Sequence, residues 1–486
     1  MTGSVGDHRG AMVSHDALLT SVPGPALRAF GERFHGRLIL PTDRGYDEAR
    51  SIWNGAIDRR PGLVAQCADA SDVRSSVRFA REHDLRMSVR SGGHGVGGLA
   101  LCDDGLVVDL SALKGVRVDE GNRLAEVRAG NTLGELDRAT QALGLAVPAG
   151  IVTHTGVAGL TLGGGIGWLT RKHGLSVDNL VAADVVTADG ELVVASEDDH
   201  RDLFWGLRGG GGNFGVVTSF RFRAHPVGPT VLAGPILFPL ERGPEVMQTY
   251  RGWAAEAPEE LTTVLNVRRA PVGSVDPRAA ARRAGLDGGR LLVRSDRGRG
   301  DRDRADQGPR AHARPLRPEA LRRAPGDVRR CGHAGVALLA GHYYWKSVEL
   351  DELTGPAVAA IVDHTERITS PRSYAVAFQL GGAMSRVGEM DTAYAGRSPA
   401  FDVNINGVWL PEETDGAPEH VAWTRSLFGE LEPMARGVYV NFLGDEGADR
   451  IRAAYGAEKY ERLAELKARW DPTNLFRFNQ NIAPAS

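Results

Sequence analysis

The chain has 486 residues, of which 42% are hydrophobic and 24% charged, with a formal net charge of −3. At roughly 150 residues per domain this length calls for two or three cores, and the near-neutral balance excludes a general attraction to nucleic acid or to an anionic membrane surface. No apolar run reaches the roughly 18 residues that a spanning helix needs. The amino terminus carries neither a basic, apolar export leader nor twin arginines, so a cytoplasmic address is expected. Cys67, Cys102 and Cys331 are odd in number and far apart, which argues against a disulfide framework or a zinc site.

Residues 1–45 read as a leader ending in a short helix. Arg60-Pro61-Gly62-Leu63-Val64-Ala65-Gln66-Cys67 turns into a strand, and Ala70-Ser71-Asp72 opens a helix capped by Ser71 or Asp72. Val73, Val77, Ala80 and Leu85 supply its apolar face. Met87–Arg90 is a strand that ends on a glycine-rich turn, and residues 105–110 form the next strand. This alternation predicts an α+β or α/β domain. A second such unit spans about 145–225, with the strand Leu180–Thr187 followed by a turn at Ala188-Asp189-Gly190. From about 230 to 460, the segments Tyr374–Leu380, Asp402–Leu410 and Gly437–Phe442 are β-prone, which predicts an antiparallel sheet covered by helices. The expected domains are thus 46–228 and 229–460, with 461–486 returning to the first.

One stretch departs from this pattern. Residues 268–330 contain 18 arginines in 63 positions, with no lysine and no aromatic residue. Neither helical nor strand periodicity stands out. Three readings apply: a nucleic-acid-binding arm, a solvated insert, or a compensated shift of reading frame in a GC-rich gene, which would generate Arg, Ala, Gly and Pro.

The strongest chemical signal is Arg90-Ser91-Gly92-Gly93-His94-Gly95-Val96-Gly97-Gly98. Glycines after a strand let backbone amides approach a phosphate. The segment that follows is extended, so this is not the dinucleotide turn that opens a helix. On composition alone the histidine reads as an ordinary turn residue.

These residues open a series of motifs in order. Val108-Asp109-Leu110-Ser111, Pro148-Ala149-Gly150, Gly163-Gly164-Gly165-Ile166-Gly167 and Arg171–Asn179 follow. Leu207–Gly215 and Asp471–Ile482 complete the series. Together they resemble the berberine-bridge-enzyme-like FAD-linked oxidases, within the vanillyl-alcohol-oxidase or PCMH-type flavoproteins. The resemblance covers about 46–266 and 335–486. It implies an α+β fold: a PCMH-type FAD-binding domain of two α+β subdomains, and a substrate domain with an antiparallel sheet.

It further implies FAD bonded through its 8-methyl group to His94, with Ser91, Gly92, Gly93 and Gly95 around the pyrophosphate. Arg90, Gly156, Gly159, Gly163, Gly164, Gly167, Asn179, Gly215 and Val217 are implied as further cofactor contacts, and Asn479 and Asn481 as neighbours of the flavin ring. Where many members carry a second, cysteinyl link, this chain has Val152, so single attachment is expected. Thr155 matches a gate position beside the flavin; its small size fits oxidase behaviour, with dioxygen as acceptor and a small molecule as substrate.

The family often uses the second tyrosine of a Tyr-x-Asn-Tyr segment as base, but the matching segment here is Tyr439-Val440-Asn441-Phe442. Phenylalanine exchanges no proton. Replacement candidates are Tyr374, Gln379 and Tyr439, with Asn404 and Asn406 sharing one strand face by their two-residue spacing. Trp409 has the opposite parity and is expected in the core. No carboxylate pair, Ser-His-Asp set or metal-spaced histidine cluster competes in the sequence.

Overall fold

The computed structural model describes residues 22–228, 230–269, 341–444 and 446–485, together with the backbone of a strand at Arg290–Ser295. The Arg-rich stretches 270–289 and 296–340, and Cys331 within them, lie outside the described residues.

The first sheet joins β1 (Arg37–Ile39), β2 (Leu63–Gln66), β3 (Met87–Arg90) and β4 (Leu106–Asp109) in the order β1-β2-β4-β3. β2, β4 and β3 run parallel, which brings Gln66, Asp109 and Arg90 side by side at their carboxyl ends. Helix α1 (Ala70–Glu82) covers the sheet with Val73, Val77 and Ala80. Its cap is Asp69, whose carboxylate accepts from the amides of Ser71 and Asp72, and not Ser71 or Asp72 as the sequence suggested. β1 and Phe30, which stacks on Phe79 of α1, extend this unit upstream of the expected boundary at 46.

The second sheet is antiparallel: β5 (Val116–Asp119), β6 (Leu124–Arg128), β8 (Leu180–Val186), β9 (Leu192–Ser196) and β10 (Val216–Arg223), in the order β5-β6-β10-β8-β9. β7 (Leu145–Ala146) pairs with β11 (His225–Pro226) beside it. Between β7 and β8 lies α2 (Val157–Leu162).

The third sheet holds β12 (Leu232–Leu237), β13 (Leu261–Arg268), β14 (Arg290–Ser295), β15 (His342–Leu350), β16 (Tyr374–Gln379) and β17 (Phe401–Trp409). Its order is β12-β14-β13-β16-β17-β15, antiparallel throughout. β14 is a correction to the sequence analysis, which found no strand in the Arg-rich stretch: Leu291, Leu292 and Val293 are three β-prone residues flanked by arginines, too short a run to register as periodic.

Helices α3 (Gly243–Glu256), α4 (Gly355–Glu366) and α5 (Ala417–Leu431) cover one face, packing Met247, Ile361 and Leu427 on Ala375, Ala377, Val403 and Ile405. The opposite face, carrying Val264, Val376 and Phe378, turns toward the loop that holds Ile166. The segment 437–442 is not the strand expected. Gly437 bridges Glu349 once, and the chain then tightens into a 3-10 turn at Val440–Phe442. That turn lets Tyr439 reach back to the amide of Gly165. Helix α6 (Ala457–Trp470) closes on the first domain through Leu463 and Leu466.

Candidate active site

β3 delivers the turn 91–95 at the carboxyl end of the parallel sheet, the place where such sheets present ligand sites. Gly93 sits at φ +62°, a conformation that side chains rarely adopt. Gly92 packs backbone to backbone on Gly156, so a methyl at either would overlap the other loop. Thr155 and Val152, both half-buried, form the turn facing it, with the Thr155 amide donating to the Val152 carbonyl at 3.1 Å. By contrast, a methyl built on Gly95 or Gly159 would meet open space. The hydroxyl of Ser91 donates to the Ala129 carbonyl at 2.6 Å, which ties the turn to the second sheet. The Arg90 guanidinium bonds the carbonyl of Ala49.

The His94 imidazole stacks on Trp53 with centroids 4.3 Å apart and 14° between planes, and His154 lies 4.9 Å away on a tilt. Its Nε2 is buried and has no partner among the described residues. Burial, then the neighbouring His154, pushes the imidazole down to about 3, so it stays neutral with a free lone pair at physiological pH.

The facing sheet supplies the opposite wall. Register places Trp345, Asn406 and Tyr374 in one row across β15, β17 and β16, with Asn404 beside Val376 in the next. Arg268 lies over the Tyr374 ring at 5.1 Å. The Asn404 Nδ2 is buried without a partner among the described residues. Phe442 fills the space between Trp345, Phe378 and Tyr439, at 5.7, 5.8 and 4.9 Å. Trp409 lies on the other face against His420, as its parity implies.

Several sequence candidates take other duties. Gln379 points into the helix-covered face, accepting from Thr263 at 2.6 Å and donating to the Ala254 carbonyl at 2.8 Å. Its odd parity relative to Tyr374 puts it on the opposite face of the sheet. The Tyr439 hydroxyl accepts from the amide of Gly165 at 2.9 Å and from Asn441 at 2.7 Å, and burial pushes it up to about 12. It is an anchor for the glycine loop, held as a neutral phenol.

Gly163, Gly164 and Gly167 are glycines because Asn441, Tyr394 and the Ala149 carbonyl occupy the space a side chain would take. Asn179 spends its amide on the carbonyls of His173 and Leu175 and its oxygen on His225 Nε2 at 2.6 Å, so it is structural. Gly215 backs onto Val185, and Val217 is buried in the first core. Asn479 and Asn481 each keep a buried Oδ1 without a partner among the described residues.

Trp53, Tyr343, Trp345 and Arg268 were missed in sequence. The run Tyr343-Tyr344-Trp345 was the available signal. A carboxylate pair was also missed: Glu349 and Asp402 face each other across β15 and β17, both fully buried. Both Asp402 oxygens lack a partner among the described residues. Burial holds each acid well above the ordinary range, with Asp402 adding to the effect on Glu349. In both cases the buried site favours the neutral acid. Their contribution to stability is complete below the ordinary carboxylate range of about 4 and is lost as pH rises toward the raised folded values. Asp402→Asn is thus expected to raise the melting temperature at neutral pH and to flatten its decline as pH rises above about 4. A lower melting temperature across that whole range would contradict this electrostatic account.

The other acidic grouping, His35, Asp69 and Asp72, is occupied by the fold. Asp72 accepts from the amides of His35, Gly36 and Ala68, while Asp69 caps α1.

The buried atoms of His94, Asn404, Asn479 and Asn481, unpartnered among the described residues, are orphan polar groups of the kind a bound, polar-edged cofactor satisfies. Fold and site together define a flavoprotein oxidoreductase. The family model described as "FAD binding domain" matches residues 61–196, and "Berberine and berberine like" matches 438–483. The chain is 31% identical to an FAD-linked oxidoreductase, YgaK, of Bacillus subtilis, covering 92% of this chain and 97% of that protein. It is 30% identical to (R)-6-hydroxynicotine oxidase of Paenarthrobacter nicotinovorans, at 92% and 97% coverage. The crystal structure of 6-hydroxy-D-nicotine oxidase from Arthrobacter nicotinovorans superimposes with a TM-score of 0.79 at 27% identity, covering 93% of this chain and 98% of that one. The chain belongs to the berberine-bridge-like FAD-linked oxidoreductases, and it is an FAD-binding enzyme. No helix among the described residues is long and apolar enough to cross a membrane.

Proposed function

We propose that the enzyme oxidises a C–H bond next to oxygen or nitrogen in a sugar, alcohol or specialised metabolite, using FAD held covalently by His94 and dioxygen as final acceptor. When bound, the flavin supplies the hydride acceptor and passes the electrons to dioxygen, giving hydrogen peroxide. The observation that carries the attachment is the buried, neutral, unpartnered Nε2 of His94. Val152 offers no nucleophile, so His94 is the single link. Asn479 and Asn481 are assigned to the polar edge of the ring, where their Oδ1 atoms, unpartnered among the described residues, can accept from a ring N–H. Tyr374 is assigned as the proton-accepting group: burial raises its phenol above the ordinary value, and Arg268, 5.1 Å from the ring centroid, opposes that rise. The half-buried Thr155 leaves the gate position small.

The test is denaturation of the purified protein followed by peptide mapping. Yellow colour is expected to remain on the peptide containing His94, and His94→Ala is expected to release it. Colour that washes away from the wild type rejects covalent attachment. Separately, flavin reduced anaerobically by a substrate is expected to reoxidise rapidly on mixing with oxygenated buffer. Slow reoxidation makes the enzyme a dehydrogenase with another acceptor.

A further inference from the structure

Three rings stack in sequence across the domain boundary. His94 lies on Trp53 at 4.3 Å and 14°, and Trp53 lies on Tyr343 at 3.8 Å and 23°. Trp345 closes one side at 5.2 Å. Trp53 is only 8% exposed, and its neighbours fix it from both directions. Its amide donates to the Gly93 carbonyl at 3.1 Å. Asn54 donates to the carbonyls of Val96 at 2.8 Å and Tyr343 at 3.1 Å, and accepts from the Tyr343 amide at 3.0 Å. The Gly55 amide donates to the Gly341 carbonyl at 2.9 Å. Residues 53–55 therefore clasp the glycine turn to the edge strand β15.

We infer that Trp53, backed by Tyr343, is a positioning residue for covalent flavin attachment, fixing the plane of the His94 ring so that Nε2 points at the incoming methyl carbon. This rests on the attachment proposed above. The imidazole torsion is otherwise broad, so an unstacked ring would sample many planes. Bond formation needs the in-plane lone pair aligned with the carbon, and alignment of this kind accounts for large rate factors. The stacked indole blocks rotation out of plane. In the attachment step Nε2 bonds to the 8-methyl carbon. The methyl gives up one proton and the imidazole N–H a second. Two electrons enter the isoalloxazine, and dioxygen then removes them with the two protons as hydrogen peroxide.

The experiment compares covalent with total flavin in purified wild-type, Trp53→Phe, Trp53→Ala and Tyr343→Leu proteins, by acid denaturation and intact mass. Trp53→Phe keeps a stacking ring and is expected to hold most of the wild-type covalent fraction. Trp53→Ala is expected to lose covalent flavin severalfold while retaining FAD that denaturation releases, and Tyr343→Leu is expected to fall between them. A wild-type covalent fraction in Trp53→Ala overturns the proposal. If Trp53→Ala does not accumulate as folded protein, a wild-type fraction in Tyr343→Leu overturns it. Wild-type protein with no covalent flavin refutes the attachment itself, an outcome distinct from either.

Discussion

Lys467→Met is expected to destabilise the protein by about 3–5 kcal/mol, the usual consequence of leaving one member of a buried ion pair alone. Lys467 and Asp471 are both fully buried, one helical turn apart at the end of α6, with Nζ and Oδ2 2.7 Å apart. The ammonium also donates to the carbonyls of Asn213 at 2.7 Å and Phe476 at 2.9 Å. Asp471 in turn accepts from the amides of Leu475 and Phe476, both at 2.8 Å. One pair thus fastens the end of α6, the loop carrying Asn213 and the tail that presents Asn479 and Asn481. Against a total stability of about 5–15 kcal/mol, a loss of this size is large. Because the tail loosens first, non-covalent grip on the ring edge should weaken in the same variant. Denaturant melts measure the cost. The double variant Lys467→Met with Asp471→Leu should recover part of it, since no lone charge remains buried. A Lys467→Met protein within about 0.5 kcal/mol of wild type, the range of ordinary surface changes, would remove the pair from this role.

The Lys467 clamp also illustrates what the sequence could and could not reveal. The motif Asp471–Ile482 was legible as a family signature, and its tail does return to the first domain. That its aspartate would be neutralised by a lysine four residues earlier was not drawn from it, although the spacing is helical. The parallel and antiparallel strands near the glycine motifs were readable because alternation and turn residues agree locally. The face carrying Asn404 and Asn406 was readable from period two alone. Gln379 failed the same test only because its parity was not compared with that of Tyr374 on the same strand. Gly163, Gly164 and Gly167 were read as cofactor contacts, and the structure adds that Asn441, Tyr394 and Ala149 fill the space a side chain there would need. Such close approach between distant segments leaves no local trace. The same holds for Trp53 on His94 and for Glu349 opposite Asp402, pairs made only by tertiary packing.

Tyr374→Phe is expected to lower turnover by about 10²–10⁴-fold, the range lost when a positioned proton acceptor is removed. Phe442 occupies the place where a phenol would otherwise stand, and Tyr439 is committed to the amides of Gly165 and Ile166. Tyr374 shares its row with Asn406 and Trp345, and it and Trp345 pack against Trp53 and Val96 of the first domain. Burial raises its phenol above the ordinary value, while Arg268 opposes the rise. Only the phenolate accepts a proton, so the wild-type rate should climb with pH on the alkaline side. Arg268→Met removes the cation that favours the phenolate, and it should shift that rising limb to higher pH without abolishing it. Tyr374→Phe should abolish the limb and leave a slow, pH-insensitive residual rate. The flavin absorbance spectrum of each variant, unchanged from wild type, separates loss of chemistry from loss of fold. Wild-type turnover in Tyr374→Phe, with the pH profile intact, would move the proton acceptor to another group. A shift of the limb to lower pH in Arg268→Met would reverse the electrostatic assignment.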